Sequence, residues 1–292
     1  LADVRHNGVS PYDVVHVHID PTPKRLAMIH EIGMHTLAVQ VLHREPNESE
    51  AAALKPHANT LPLIAFSDTQ RKRMPGYRWL GVARHGIDTQ SLCPRADDEQ
   101  SGRALVIGKI SRGKGTSSAI RAAQKNGLEV DVAGPITDLD YFKTRIEPLL
   151  NDGSGDYVGT VSGERKRRLF AAARVVICAT RLPETFCLVL AEAMACGTPV
   201  ASLQNGACNE VVVDGTGFTT PHASDLASIV MKATELNRKK IRQIAVATYS
   251  LGRMASDYDK IYRRGILQRR SGTNTSNSTI VHQDLLPVEI CS

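Results

Sequence analysis

Two α/β units, each built on a parallel sheet, are the fold class this sequence predicts, and three observations predict it. The first is the segment at 174–203. Its apolar run Arg174-Val-Val-Ile-Cys-Ala-Thr180 has the length and β-branched content of a buried parallel strand, and 188–196 is a run of good helix formers. Gly197 and Pro199 stop that helix, and 200–202 resumes a strand, which makes a parallel-sheet crossover. The second is the alternation of β-branched strand segments with helical stretches on both sides of a polar segment at 93–102, which carries Pro94 and three acids. The third is size: 292 residues exceed one typical domain, and 42% hydrophobic content suffices for two cores.

In chain order, strands are expected at 12–18, 36–42, 61–67 and 79–83, the last running into the turn Arg84-His-Gly-Ile-Asp88. Beyond the linker come a strand at 103–108, a glycine-rich turn, a helix at 117–126 and a strand at 129–133. A helix at 140–150, a strand at 157–161 and a helix at 164–172 lead into the 174–203 segment, and a final helix is expected at 254–267. Residues 271–279 are all Ser, Thr, Asn and Gly and have too little apolar surface to order themselves. The predicted division is therefore an N-terminal unit at 1–92, the linker at 93–102, a C-terminal unit at 103–252, a closing helix at 253–270 and a disordered tail at 271–292.

Composition excludes several classes. No run approaches the length of a membrane span, and the first residues show no signal-peptide pattern. The six cysteines form no CxxC pair, which argues against a disulfide framework or a zinc site and for a reducing, cytoplasmic compartment. The formal charge is +6, with basic clusters at 71–73, 165–168, 238–240 and 263–270. Such clusters suit nucleic acid, anionic lipid or a phosphorylated substrate, and equally suit solvated helix faces.

Two constellations carry chemistry. In parallel sheets ligands collect beyond the carboxyl ends of the strands, where the loop with Glu184 lies, and Glu192 sits one turn inside the following helix. Unpaired N–H groups at that helix start favour an anion such as a diphosphate. The second constellation, Gly108-Lys-Ile-Ser-Arg-Gly-Lys-Gly115, joins a strand to a helix and offers backbone donors and cations to phosphates. It nearly matches a P-loop, but Gly115 stands where magnesium chemistry needs Ser or Thr, and no strand with a metal-binding acid follows.

The segment Glu184 to Pro199 resembles the signature of the retaining glycosyltransferases of family 4: two glutamates separated by seven residues, then a helix ending Glu-Ala-Met-Ala-Cys-Gly-Thr-Pro. That family has the GT-B fold, two Rossmann-like domains with parallel sheets. Lys109 and Lys114 match its paired cations, five positions apart, although the family more often has arginine first. Asp13-Val-Val-His-Val-His18, Ser67-Asp-Thr-Gln70, Arg84-His-Gly-Ile-Asp88, Glu210-Val-Val and Arg253-Met-Ala-Ser-Asp-Tyr look like further landmarks of a bacterial subgroup. Leu42-His-Arg44 falls where the family has a histidine near the sugar, which nominates His43; His16 and His18 are read as satisfying loop hydrogen bonds. Two departures stand out: Cys187 replaces the usual glycine after Phe186, and Cys208-Asn209 precede Glu210 where a proline is usual.

The resemblance implies transfer of a sugar from a nucleotide diphosphate donor to an acceptor hydroxyl, with retention. Lys109 and Lys114 would hold the leaving diphosphate, Phe186, Cys187 and Leu188 would offer backbone contacts, Glu184 would position the donor sugar, and Glu192 would bind the ribose hydroxyls. Catalysis would then rest on Glu184 and His43. No metal and no cofactor is required, nucleic acid is not a partner, the acceptor is unspecified, and the basic clusters would serve at most a peripheral membrane contact. Rival readings are a GT-B-type nucleotide-sugar epimerase and a catalytically impaired nucleotide-sugar-binding fragment. The resemblance also implies an incomplete N-terminal, acceptor-side domain: the strand at 12–18 is similar to a later strand of that domain, so loss of a central first strand is expected to separate its neighbours.

Overall fold

The computed structural model describes residues 12–271 apart from residue 152. Two all-parallel sheets organise the chain. The first has strands β1 (Val14–Val17), β2 (Leu37–Val41), β3 (Leu63–Ala65) and β4 (Trp79–Val82) in the order β1-β2-β3-β4. These strands pair in chain order without a gap, for example Val14 with Leu37 and Gln40 with Leu63. The expected separation of neighbours is therefore not seen. Crossovers are made by α1 (Pro23–His35), α2 (Glu48–Leu54) and α3 (Asp68–Arg73). Pro23 opens α1, where its missing N–H is harmless, and Asn47 with Glu50 forms a reciprocal capping box on α2.

The second sheet has six strands: β5 (Ala104–Ile107), β6 (Val130–Ala133), β7 (Gly155–Gly159), β8 (Val175–Cys178), β9 (Val200–Leu203) and β10 (Gly217–Thr220). Their order is β10-β9-β8-β5-β6-β7. Between them run α4 (Thr116–Gln124), α5 (Leu139–Tyr141), α6 (Glu147–Leu150), α7 (Gly163–Ala172), α8 (Leu188–Ala195) and the single turn α9 (Cys208–Val211). The helix expected at 140–150 is interrupted by a π turn at Phe142–Ile146, just before Pro148, which has no N–H to continue the ladder. The chain ends its described part with α10 (Leu226–Thr234), α11 (Arg238–Tyr249) and α12 (Leu251–Arg270). Strand β10 and helices α10 and α11 lie in a stretch for which no element had been predicted.

The closing helix starts two residues before its expected boundary and returns to the first sheet, packing on β4 and β2. There Arg269 donates to the carbonyls of Gly33 and Met34. One apolar cluster accordingly runs through both halves, from Val39, Ile64 and Leu80 to Phe186, Tyr249 and Ile261. The 93–102 segment is also tied down: the buried Arg167 of α7 donates two bonds to the Asp98 carboxylate, at 2.6 and 2.7 Å, and one to the Cys93 carbonyl. Several members of the basic clusters are thus internal fixtures, since Arg238 likewise donates to the carbonyls of Ala171 and Ala173. Of the tail expected at 271–292, Ser271 caps α12 and residues 272–292 lie outside the described residues.

Candidate functional site

The chain leaves β5 outward to β6 and β7, and leaves the adjacent β8 outward in the opposite direction to β9 and β10. Strands β5 and β8 thus flank a point where the winding reverses, and the crevice beyond their carboxyl ends is where such sheets bind ligands. A cavity of about 200 Å³ opens there, lined by Lys109, Lys114, Glu184, Cys187, Cys178 and Val189 among others.

Close backbone approaches shape this crevice. Gly115, at φ +66°, caps α4 where an added Cβ would lie 2.0 Å from the Ala179 carbonyl oxygen at the end of β8. That is the steric reason why no Ser or Thr follows Lys114. The two loops are joined by the Arg181 N–H donating to the Gly113 carbonyl at 2.8 Å. Gly206 performs the same task on the other side: a Cβ there would meet the Glu184 backbone at 2.2 Å, and the neighbouring Ala207 N–H donates to the Glu184 carbonyl.

Within the cavity the Lys114 ammonium bonds the Glu184 carboxylate, which also accepts from the Thr180 hydroxyl at 3.1 Å. Burial pulls the lysine down, but Glu184 and then the sulfurs of Cys187 and Cys178 raise it further, so it stays charged well above neutral pH. Lys109 is exposed at the mouth. The N-termini of α4 and α8 border the same space, since Lys114, Thr116, Cys187 and Val189 line it. Two cations, one carboxylate and two helix N-termini make it a site for an anion that also carries hydroxyls.

Cys187 is the one described non-glycine residue with positive φ, at +70°, and it forms the N-cap of α8. A side chain in that conformation costs about 1 kcal/mol or more. Its sulfur lies 3.7 Å from Cys178, and Cys208 completes a group of three sulfurs all within 4.8 Å of one another. Sequence spacing had argued against any such grouping; it arises because the end of β8, the start of α8 and the start of α9 converge. Hydrogen bonds from Cys187 and Cys208 hold Cys178 below the ordinary thiol range.

The remaining nominated residues are not part of the cavity lining. The Phe186 side chain is buried, edge-on to His85 at 5.3 Å and to Tyr249 at 5.7 Å, so it cements the two halves. Leu188 is exposed, and Glu192 pairs with Lys166 of α7 at 2.6 Å. His43 is held beside the signature loop, its carbonyl accepting from the Thr185 hydroxyl at 2.9 Å. Its ring stands 3.0 Å (Nε2 to Nδ1) from His18, and its centroid is 5.1 Å from Phe66. His16 and His18 therefore meet side chains and not loop backbone: His16 Nδ1 is 2.6 Å from the Tyr262 hydroxyl of α12. Burial, followed by the charges of His18 and His43, pushes His16 down to about 4, and burial, followed chiefly by His43, does the same to His85.

Sequence reasoning missed the residues that lock the halves together. Glu210 accepts from the backbone N–H of Asp68 and of Thr69, capping α3 across the interface, and Arg253 donates to the carbonyls of Arg84 and His85. All of these lie in the landmark segments, so their presence was visible while their pairing was not.

The chain is an α/β protein of two parallel sheets with a cavity lined by Lys109, Lys114 and Glu184 at the switch point of the second. The chain belongs to the glycosyl transferases group 1 family, which it matches over residues 94–248, more than half of its length. It is 28% identical over 206 residues to MMP alpha-(1->4)-mannosyltransferase of Mycolicibacterium hassiacum, covering 64% of this chain and 49% of that protein. It is also 28% identical over 231 residues to D-inositol 3-phosphate glycosyltransferase of Pseudarthrobacter chlorophenolicus, covering 71% and 50%. The chain thus spans about half the length of these relatives. Among solved structures, sucrose-phosphate synthase of Thermosynechococcus elongatus superposes with a TM-score of 0.74 at 18% identity, covering 90% of this chain and 75% of that one. Anabaena HepE in complex with UDP gives 0.70 at 20% identity, covering 90% and 79%. These superpositions establish a GT-B-type fold. No helix among the described residues is long and apolar enough to cross a membrane.

Proposed function

We propose that this chain transfers a sugar from a nucleotide diphosphate donor to an acceptor hydroxyl with retention of configuration. The observation that carries the reading is the convergence of Lys109, Lys114 and Glu184 on one cavity at the switch point of the second sheet. The two lysines and the N-termini of α4 and α8 would stabilise the diphosphate as it leaves, with no need for a magnesium ion. Glu184, which hydrogen-bonds Lys114 and Thr180, would hold the donor sugar against that diphosphate. Cys187 and Leu188 would contribute backbone contacts, while Phe186 acts through packing. Glu192 would have to exchange Lys166 for ribose hydroxyls. His43, from the loop after β2, would face the sugar from the acceptor side.

In this division the N-terminal sheet serves the acceptor and the C-terminal sheet the donor. Contact with anionic lipid would rest on cations that the fold leaves exposed, such as Lys72, Lys239 and Arg270; flotation with phosphatidylserine vesicles tests it. The central test is calorimetry with uridine, guanosine and adenosine diphosphates, with the free nucleosides as controls. It is followed by NMR of the product anomer when a nucleotide sugar and an acceptor alcohol are supplied. One diphosphate should bind at least tenfold tighter than its nucleoside, and the product should keep the donor's configuration. Equal affinity for nucleoside and diphosphate, or an inverted product, would refute the reading.

A further inference from the structure

We propose that Cys178, Cys187 and Cys208 form a binding site for one thiophilic metal ion of the zinc class, set in the wall of the cavity. The three sulfurs come from three separate elements, the last residue of β8, the N-cap of α8 and the first residue of α9. They stand within 4.8 Å of one another, with Cys178 and Cys187 at 3.7 Å. Zinc–sulfur bonds of about 2.3 Å in a tetrahedron place neighbouring sulfurs about 3.8 Å apart, so the triangle needs only a small contraction to become one face of that tetrahedron.

Two further features distinguish this triangle from three small side chains that merely share a core. The backbone of Cys187 holds its sulfur there at positive φ, a conformation that the other described positive-φ residues reach as glycines. The group is also open on one side: Cys208 is fully buried, whereas Cys178 and Cys187 line the cavity, which supplies an entry path and a fourth coordination position. Three protein ligands plus an open position match the composition of zinc sites that keep a water or a substrate atom as fourth ligand. The soft donor set selects against magnesium and calcium, so this ion is distinct from any cation a diphosphate would bring. On binding, each ligating thiol loses its proton to solvent, and three thiolates around a divalent ion leave one net negative charge beside the Lys114 ammonium. The ion site stands whether or not the cavity takes a nucleotide.

The test is titration of the reduced, metal-stripped full chain with cobalt(II), then with zinc(II) against a chromophoric chelator. One equivalent of cobalt should produce a thiolate-to-metal charge-transfer band, and zinc should displace it. Cys178→Ser and Cys208→Ala should each weaken zinc binding at least tenfold, while Cys93→Ser, outside the group of three sulfurs, should leave it unchanged. Thermal melts confirm that each variant is folded; should Cys208→Ala fail to fold, Cys178→Ser on the cavity wall carries the comparison. Absence of the charge-transfer band, or affinity in Cys178→Ser equal to that of the parent, would overturn the proposal.

Discussion

The two sheets are built from the same parallel crossover and differ in how the chain winds through them. The N-terminal sheet runs β1-β2-β3-β4 without reversal, so no pair of adjacent strands sends its loops apart. The C-terminal sheet reverses between β5 and β8, and the loops that part there leave the crevice that holds Lys109, Lys114 and Glu184. Their chemistry differs accordingly. The first sheet presents imidazoles and an aromatic ring to the interface, with His85 stacked on Phe66 at 3.8 Å and His43 beside both. The second presents charge and helix N-termini. Under the proposed function the first surface would face the acceptor and the second the donor diphosphate.

The largest expected effect frees the linker from the C-terminal half. Arg167→Met should destabilise the fold by about 3–5 kcal/mol, because it removes both guanidinium bonds from the Asp98 carboxylate, whose side chain is only 8% exposed, and leaves it the Arg95 backbone N–H as donor. Urea denaturation measures this, and adding Asp98→Leu should recover most of the loss. Within the charged half, Glu184→Gln should cut sugar transfer at least 100-fold, about 3 kcal/mol, while changing diphosphate affinity little. Lys114→Ala should instead weaken the diphosphate by about 1.5–3 kcal/mol, as read by calorimetry. If both variants lose binding and turnover in parallel, the division of roles within the cavity is wrong.

Acid should single out the imidazole half. His16 and His85 are held neutral by burial, each at about 4 against an ordinary 6.5, so below 6.5 the unfolded chain binds more protons than the folded one. Their stabilising contribution is full above about pH 6.5 and is lost as pH falls through the folded value near 4. Chemical denaturation from pH 7 to pH 4.5 should show a loss of about 1–3 kcal/mol, and His16→Gln should flatten that slope. The smallest effect belongs to Cys187→Gly, which removes the strained side chain and should stabilise the folded chain by about 0.5–1 kcal/mol. A melting temperature that falls would mean that the sulfur's packing outweighs the backbone strain.

Local signals made much of this molecule legible. The apolar run before Thr180, the Gly197-Thr-Pro199 stop and the glycine-rich turn at 108–115 specify strand, helix end and cradle through contacts within a few residues, and each element appears near its expected place. Strand β10 and helices α10 and α11 went unforeseen because the short Gly217-Phe-Thr-Thr220 run carries little strand signal, and the basic start of α11 reads as a solvated face. That face is in part a structural fixture, with Arg238 reaching carbonyls 65 and 67 residues away in sequence.

By itself the sequence determined the alternation of strands and helices, the crossover that carries Glu184, and the spacing that puts Lys109 and Lys114 on one loop, because each depends on neighbours along the chain. Tertiary structure alone decided that Phe186 packs inward, that Glu192 pairs with Lys166, that Glu210 caps a helix of the other half, and that three cysteines without any motif spacing meet at one corner of the cavity. Those outcomes depend on strand order and on how the two halves meet, and contacts between residues 9 to 142 positions apart leave no periodicity in the sequence from which to read them.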